Sequence, residues 1–264
     1  MTLSPVKVFI LLMFTSVSCF AQTWELGVSG GSFSYMGDLN QNNFHQFNHP
    51  AFGGLVKRNF DGYWSLKLSV LNGKISYDAS KSIYPEERAR NLSFFTPLTE
   101  ASLQVEFNFF NYGFDFGQKR VSPFLATGIS VTTFNPQANY NGRIYELKYY
   151  LTEGQSSYST TTYAIPVIAG LKYNFGRYLN VIGEIGFRNV STDYLDDVSG
   201  YYAPPQALVG NSAENTVIRR ALADRSVNKI GVPGTQRGDF RKKDTYLFAG
   251  ITLTYTFVSQ KCAF

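Results

Sequence analysis

Between residues 246 and 257 apolar and small or polar side chains alternate almost without a break. Leu247, Ala249, Ile251, Leu253, Tyr255 and Phe257 share one parity; Phe248, Gly250, Thr252, Thr254 and Thr256 share the other. A β-strand sends successive side chains to opposite faces, so the segment has one apolar face and one mostly small or polar face. Its length is about what a tilted strand needs to cross a bilayer. Eight such segments are predicted: 24–35, 52–59, 63–77, 99–111, 122–134, 163–175, 179–192 and 245–257. In the fourth, Ala101, Leu103, Val105, Phe107 and Phe109 oppose Glu100, Ser102, Gln104, Glu106 and Asn108. No helical period of useful length runs through these regions; 212–226 can hold a short helix inside a loop.

The connections alternate in length. Asp61-Gly62 and Gly176-Arg177 are tight hairpin turns, and 113–120 is a somewhat longer one. The others are long: 36–51, 78–98, 135–162 and 190–244. Short turns at one end and long loops at the other are the pattern of outer-membrane barrels. The predicted fold is therefore all-β, a transmembrane antiparallel up-and-down β-barrel of about eight strands. Its short turns and both termini lie in the periplasm, its long loops outside, and Leu103, Leu171 and Leu253 face lipid.

Alternation fits a soluble, lipocalin-like barrel as well, with the apolar face turned inward. Composition separates the two. Charged residues are 16% of the chain and aromatics 16%, whereas soluble domains carry roughly 25% charged residues. The polar parity is mostly Gly, Ser, Thr, Ala and Asn, which suits a narrow lumen better than a water-facing surface. The isolated charges there are Glu25, Lys67, Glu100, Glu106, Lys172, Glu184 and Arg188. Inside a small barrel they must pair or be hydrated. They read as structural salt bridges in preference to a proton or ion path, because eight strands enclose a space that side chains fill. Trp24, Trp64, Tyr173, Phe175, Tyr255 and Phe257 lie near strand ends, where aromatic girdles belong.

The N-terminus has the form of a secretory signal. Lys7 precedes an apolar run over 8–14, and Cys19-Phe20-Ala21 offers small residues for cleavage, so residues 1–21 are the expected signal and 22–264 the barrel domain. Cleavage there leaves Cys262 as the one remaining thiol. The net charge of +5 is spread over few charged residues, which argues against nucleic acid as a partner. Catalytic chemistry is thin. His45 and His49 sit in the first long loop with no serine-centred motif beside them. Asp193-Tyr194-Leu195-Asp196-Asp197 places three carboxylates in five residues but lacks the turn glycine of a calcium loop, and reads as an acidic solvated loop rather than a cation site. No cofactor and no enzymatic activity are expected.

The loops carry a resemblance. Tyr35-Met36-Gly37-Asp38-Leu39-Asn40, Arg90-Asn91-Leu92-Ser93-Phe94, Phe134-Asn135-Pro136-Gln137-Ala138, Leu151-Thr152-Glu153-Gly154-Gln155, Thr192-Asp193-Tyr194-Leu195-Asp196-Asp197-Val198 and Gln236-Arg237-Gly238-Asp239 resemble the PorG-like family. These are outer-membrane barrels associated with the type IX secretion system of the Bacteroidetes. The resemblance implies an eight-stranded barrel that contacts the periplasmic ring formed by a PorK-like lipoprotein and a PorN-like protein. Such a ring could reach only the short turns and the termini, so the expected contact residues are Asp61, Lys119, Arg120, Arg177, Lys261 and Cys262. The alternatives are a generic OmpA/OmpW-like barrel or adhesin and, further off, a lipid-modifying enzyme.

Overall fold

The computed structural model describes residues 23–40, 46–239, 241 and 243–257. Ten strands run in the order β1 (Thr23–Met36), β2 (His49–Asn59), β3 (Trp64–Asp78), β4 (Ser93–Asn108), β5 (Val121–Phe134), β6 (Gln137–Tyr140), β7 (Arg143–Glu146), β8 (Thr161–Phe175), β9 (Leu179–Val190) and β10 (Thr245–Phe257). Eight of them close into an antiparallel barrel. Neighbours pair in the order β3-β2-β1-β10-β9-β8-β5-β4, and β3 pairs with β4 to seal the ring. Closure leaves no open edge, which a spanning sheet requires because lipid cannot satisfy backbone N–H and C=O groups.

Side-chain parity follows the ladder. Leu103 (44% exposed), Leu171 (52%) and Leu253 (55%) project outward, with Val28, Leu68, Leu125, Ile185 and Ile251 in the same apolar belt. At the short-turn end the belt is edged by aromatic side chains. Trp64 packs on Phe107 at 4.8 Å, Tyr255 on Phe257 at 5.0 Å, and Tyr178 stacks on Tyr255 at 5.6 Å. The two adjacent basic residues of β2 divide by the same parity. Lys57 turns into the lumen, while the Arg58 guanidinium lies over the Trp24 ring on the outside.

The tight turns are built locally. Asp61 Oδ1 accepts the backbone N–H groups of Tyr63 and Trp64, both at 2.7 Å, and folds β2 onto β3. Gly176, at φ 85°, supplies the left-handed residue between β8 and β9. At the other end the long loops form an ordered cap. It contains the β6–β7 hairpin, α1 (Pro85–Arg90) and α2 (Ala213–Ala223). Helix α2 starts at Ser212, whose hydroxyl accepts from Asn215 N at 3.1 Å. It docks through buried Leu222 and through Arg219, which donates to the carbonyls of Tyr150 and Val209.

Several expected boundaries move. Strand β4 begins at Ser93 rather than Thr99 and stops at Asn108 rather than running to 111. Residues 93–98 pair with β3, so the barrel wall extends into what reads as loop. Strand β2 begins at His49, three residues before the alternation does. Neither the hairpin nor α1 is visible in the period, because each is too short to show one. The expectation of a mostly small and polar lumen face holds best toward the short turns, where Phe124, Ala126, Ile168 and Ile182 still form a small apolar cluster. Toward the long loops the interior is an apolar core that includes Phe33, Tyr35, Ile75, Tyr77, Phe94, Leu98, Phe134, Tyr246 and Phe248. Leu247 has outward parity yet is 2% exposed, as is its pair Ser34 at 1%, so that stretch of the rim lies inside the cap's cover rather than in lipid.

Candidate functional site

Three regions gather polar chemistry: the lumen, the short-turn mouth and the base of the cap. In the lumen, Glu25 meets Lys57 at 2.8 Å, and Lys57 reaches Glu106 at 3.5 Å. Glu106 pairs with Lys172, which also donates to Asn108 Oδ1 at 2.7 Å. Lys67 and Glu184 pair at 3.0 Å, as do Arg188 and Glu100. The structure thus brings the seven expected lumen charges inside and pairs each with an opposite charge. It adds Lys57, which the sequence reading missed because its β2 face also carries Leu55 and Gly53 and shows no clean alternation. Arg188, Lys172, Glu100 and Glu106 each have 0% exposure, so no water-sized sphere touches these side chains.

At the short-turn mouth a cavity of about 340 Å³ opens below the Glu25–Lys57 pair. Asn59, Asn108, Asn174, Asn180, Tyr112 and Arg177 are among its walls. Asp61, Lys119, Arg120 and Arg177 are all exposed at this end. Asp61 is engaged in its turn, and the Arg177 guanidinium lies over the rings of Phe114 and Tyr178. Lys261 and Cys262 lie outside the described residues, as do Lys7, Cys19 and His45. His49 is described, and its Nε2 stands 2.7 Å from Ser76 Oγ. The absence of a nearby serine motif in the sequence is therefore corrected by strand adjacency, since β2 lies beside β3. Among the described residues no carboxylate hydrogen-bonds to that ring.

The cap base is where the separate loop motifs meet. Arg237 is 2% exposed and donates to Glu153 Oε1 at 3.0 Å, to the Asp197 carbonyl at 2.9 Å and to the Ala223 carbonyl at 3.2 Å. Thr152 Oγ1 and the Tyr158 hydroxyl each donate to the Asp197 carboxylate, at 2.6 Å. Arg90 donates to the Arg237 carbonyl at 2.9 Å. Five of the six motifs quoted above therefore share one hydrogen-bonded hub, including Tyr35, whose hydroxyl donates to Asp196 Oδ2 at 2.5 Å. Burial raises the Asp197 carboxyl to about 6, against the pull of Arg237. The Asp193–Asp197 segment does not act as one loop. Asp193 accepts from Ser199 Oγ, Asp197 turns to Thr152 and Tyr158, and Asp196 turns toward Asp38 and Asp244.

These last three aspartates come together because their strands are neighbours. Asp38 follows β1, Asp244 precedes β10 and Asp196 follows β9, and the sheet order places β10 between β1 and β9. Each is 1% exposed. One carboxylate oxygen from each lies within 4.8 Å of the others. Burial raises all three carboxyls, that of Asp38 to about 10, with Asp196 adding to Asp38 and Asp244 adding to Asp196. Gly37 is required beside them: a Cβ there would stand 2.1 Å from Asp244 Oδ1 and 2.2 Å from the Tyr35 hydroxyl.

The family described as "Domain of unknown function (DUF6089)" matches residues 5–207. The chain belongs to that family. The match covers most of the barrel wall and the cap base as far as Asp197, and ends before α2 and β10. Among curated proteins none matches this DUF6089 chain. Among solved structures it is similar to the N-terminal β-barrel domain of Pseudomonas aeruginosa OprF, at 11% identity and TM-score 0.40, over 90% of this chain and 98% of that one. It is also similar to Ail, the attachment invasion locus protein of Yersinia pestis, at 8% identity and TM-score 0.44, over 90% and 100%. A third is the outer membrane protein OprG from P. aeruginosa, at 11% identity and TM-score 0.37, over 89% and 96%.

Proposed function

We propose that this DUF6089 protein is a non-conducting barrel of the outer membrane, exported by an N-terminal signal. Its role is to hold a folded extracellular cap and a periplasmic docking mouth in fixed relation across the bilayer. The observation that carries the reading is the filled lumen. Its central charges are paired with one another and fully buried. Planar-bilayer recording of the purified protein is expected to show no stable conductance; large, steady channels would overturn the reading. The proposed role is non-catalytic: replacing Ser76 or His49 with Ala is expected to leave lipid composition unchanged, and a change would revive a lipid-modifying activity.

A finer reading makes the protein the outer-membrane component of a type IX secretion apparatus, anchoring a PorK-like and PorN-like periplasmic ring. It is supported by the resemblance in the loop motifs and by the exposed basic residues Lys119, Arg120 and Arg177 at the short-turn end. Charge at that rim would steer an acidic partner and fix its register. Deleting the gene should stop export of cargo bearing the type IX C-terminal signal. Export at wild-type levels would leave the barrel an OmpA/OmpW-like structural protein or adhesin outside that apparatus.

A further inference from the structure

Beyond the cap-side ends of three neighbouring strands, β1, β10 and β9, lie three buried aspartates, and the chemistry of that junction is incomplete as it stands. Asp38 Oδ1 accepts from Asp239 N at 2.5 Å, Asp196 Oδ1 from Val198 N at 2.9 Å, and Asp244 Oδ2 from Leu195 N at 2.9 Å. Every carboxylate is thus fixed by one backbone N–H on one oxygen. Of the second oxygens, Asp196 Oδ2 is 2.5 Å and Asp244 Oδ1 is 3.4 Å from the Tyr35 hydroxyl. Asp38 Oδ2 has no hydrogen-bond partner at all, although the residue is 1% exposed. Leaving a carboxylate oxygen buried and unpaired is costly, and three acidic groups in one dry pocket repel each other. Among the described residues no Lys or Arg forms an ion pair with any of the three; the nearby Arg237 is committed to Glu153 and to the carbonyls of Asp197 and Ala223.

We propose that Asp38, Asp196 and Asp244 form a calcium site at the base of the extracellular cap, with Asp38 Oδ2 as the ligand now lacking a partner. The donor set is all oxygen and anionic, which selects a hard cation over zinc or copper. Size selects within the hard cations. Calcium holds oxygens at about 2.3–2.6 Å, so ligands on opposite sides of it are up to about 5 Å apart; magnesium, at about 2.0–2.1 Å, spans only about 4 Å. One oxygen from each aspartate lies within 4.8 Å of the others, inside the reach of calcium with little movement. The Tyr35 hydroxyl, 2.5 Å from Asp196 Oδ2 and 3.4 Å from Asp244 Oδ1, stands at the site, and water completes the shell. The bound ion ties the end of β1, the turn after β9 and the start of β10 together, and so locks the root of the 191–244 loop. That loop holds α2 and Arg237, so calcium occupancy sets how firmly the cap is seated.

The test uses the full chain refolded in detergent micelles and stripped with chelator. Calorimetric titration with Ca²⁺ should show one site, and Tb³⁺ should show sensitised emission excited through Tyr35. Ca²⁺ should also protect the 191–244 loop from limited proteolysis, with Mg²⁺ far weaker. Asp38→Asn keeps the acceptor for Asp239 N and should weaken Ca²⁺ binding about tenfold or more, the scale on which site residues usually act. Asp115→Asn, an exposed carboxylate in the turn at the opposite end of the barrel, should bind as wild type. Heat-modifiable migration confirms that each variant barrel is folded. A wild-type protein with no Ca²⁺ binding up to the millimolar affinities of extracellular modules overturns the proposal. So does binding that Asp38→Asn and Asp196→Asn both leave unchanged. If the asparagine variants fail to fold, the wild-type titrations and the loop protection decide.

Discussion

Arg188 shows how a full positive charge is kept inside a membrane protein. Its Nε donates to Glu100 Oε2 at 3.0 Å and its guanidinium donates to the Gly186 carbonyl at 2.7 Å, beside the Phe248 ring. The Tyr246 hydroxyl adds a second donor to Glu100 Oε2 at 2.5 Å, while Glu100 Oε1 and Arg188 Nη2 have no hydrogen-bond partner among the described residues. Removing one member of a buried pair leaves the other uncompensated, whereas removing both can be nearly neutral. Arg188→Met is expected to cost about 3–5 kcal/mol in urea unfolding from lipid vesicles, and Arg188→Met with Glu100→Gln to recover most of that loss. A different sign applies at Asp193 in the cap. Burial raises its carboxyl to about 6, against the Ser199 hydroxyl, with Asp239 and Glu153 adding to the rise. A carboxyl raised in the folded state favours folding while protonated. Its contribution is therefore largest below about pH 4 and is lost as pH rises through about 6. Asp193→Asn should accordingly flatten the pH dependence of cap proteolysis between pH 4 and 7 and make the cap no less resistant at pH 8.

At the scale of elements, the strands have two unlike faces and substitutions obey them. Ile251 is 60% exposed on β10 while its neighbour Thr252 is 1% exposed. Ile251→Arg puts a charge into the hydrocarbon near mid-strand and should cost about 2–4 kcal/mol of folding stability in vesicles. Thr252→Val removes a hydroxyl that hydrogen-bonds to Ser29 Oγ at 2.8 Å in the lumen, and should cost no more than about 1 kcal/mol plus the price of the stranded partner. A reversal of this order in the two urea midpoints would mean that the faces are misassigned. The cap elements follow another logic. Helix α1 has Pro85 at its first turn, Glu86 and Glu87 near its N-terminus, Arg88 and Arg90 in its last turn, and Asn91 at φ 54° to end it. Each choice suits the helix dipole and the chain reversal. Six residues are too few for such signals to stand without the tertiary contacts of Tyr77 and Arg237, which bond to Glu87 and Arg90.

As a whole the molecule is polarised along the barrel axis. One end is short, aromatic-edged and basic; the middle is a dry column of ion pairs; the other end is an aromatic core capped by loops joined at Arg237 and the three aspartates. On the proposed reading, a periplasmic partner meets the basic end. Reversing Lys119, Arg120 and Arg177 to Glu should weaken co-purification with a periplasmic ring while the barrel remains folded and heat-modifiable. If the ring co-purifies undiminished, yet deletion of a long loop abolishes the association, the partner binds the cap and the membrane orientation is inverted.

The barrel was legible in the chain because its information is local. A period of two, turn residues at every second junction and a shortage of charge each act over a few residues, and together they determine an eight-stranded transmembrane sheet and the inward side of Glu25, Lys67, Glu100, Glu106, Lys172, Glu184 and Arg188. Lys57 escaped because its face is broken by Gly53 and Leu55. Residues 93–98 escaped because a strand that climbs past the membrane loses the alternation lipid imposes. Of the cap, the sequence marked only the helix within 212–226; tertiary structure decided the rest. Tyr35, Asp38, Glu153, Asp196, Arg237 and Asp244 are spread over some two hundred residues, and no spacing rule links them. They meet because closing the sheet sets β1, β10 and β9 side by side. Burial then gathers three ordinary surface-type aspartates into one acidic pocket, a property that belongs to the enclosure and not to any segment of the sequence.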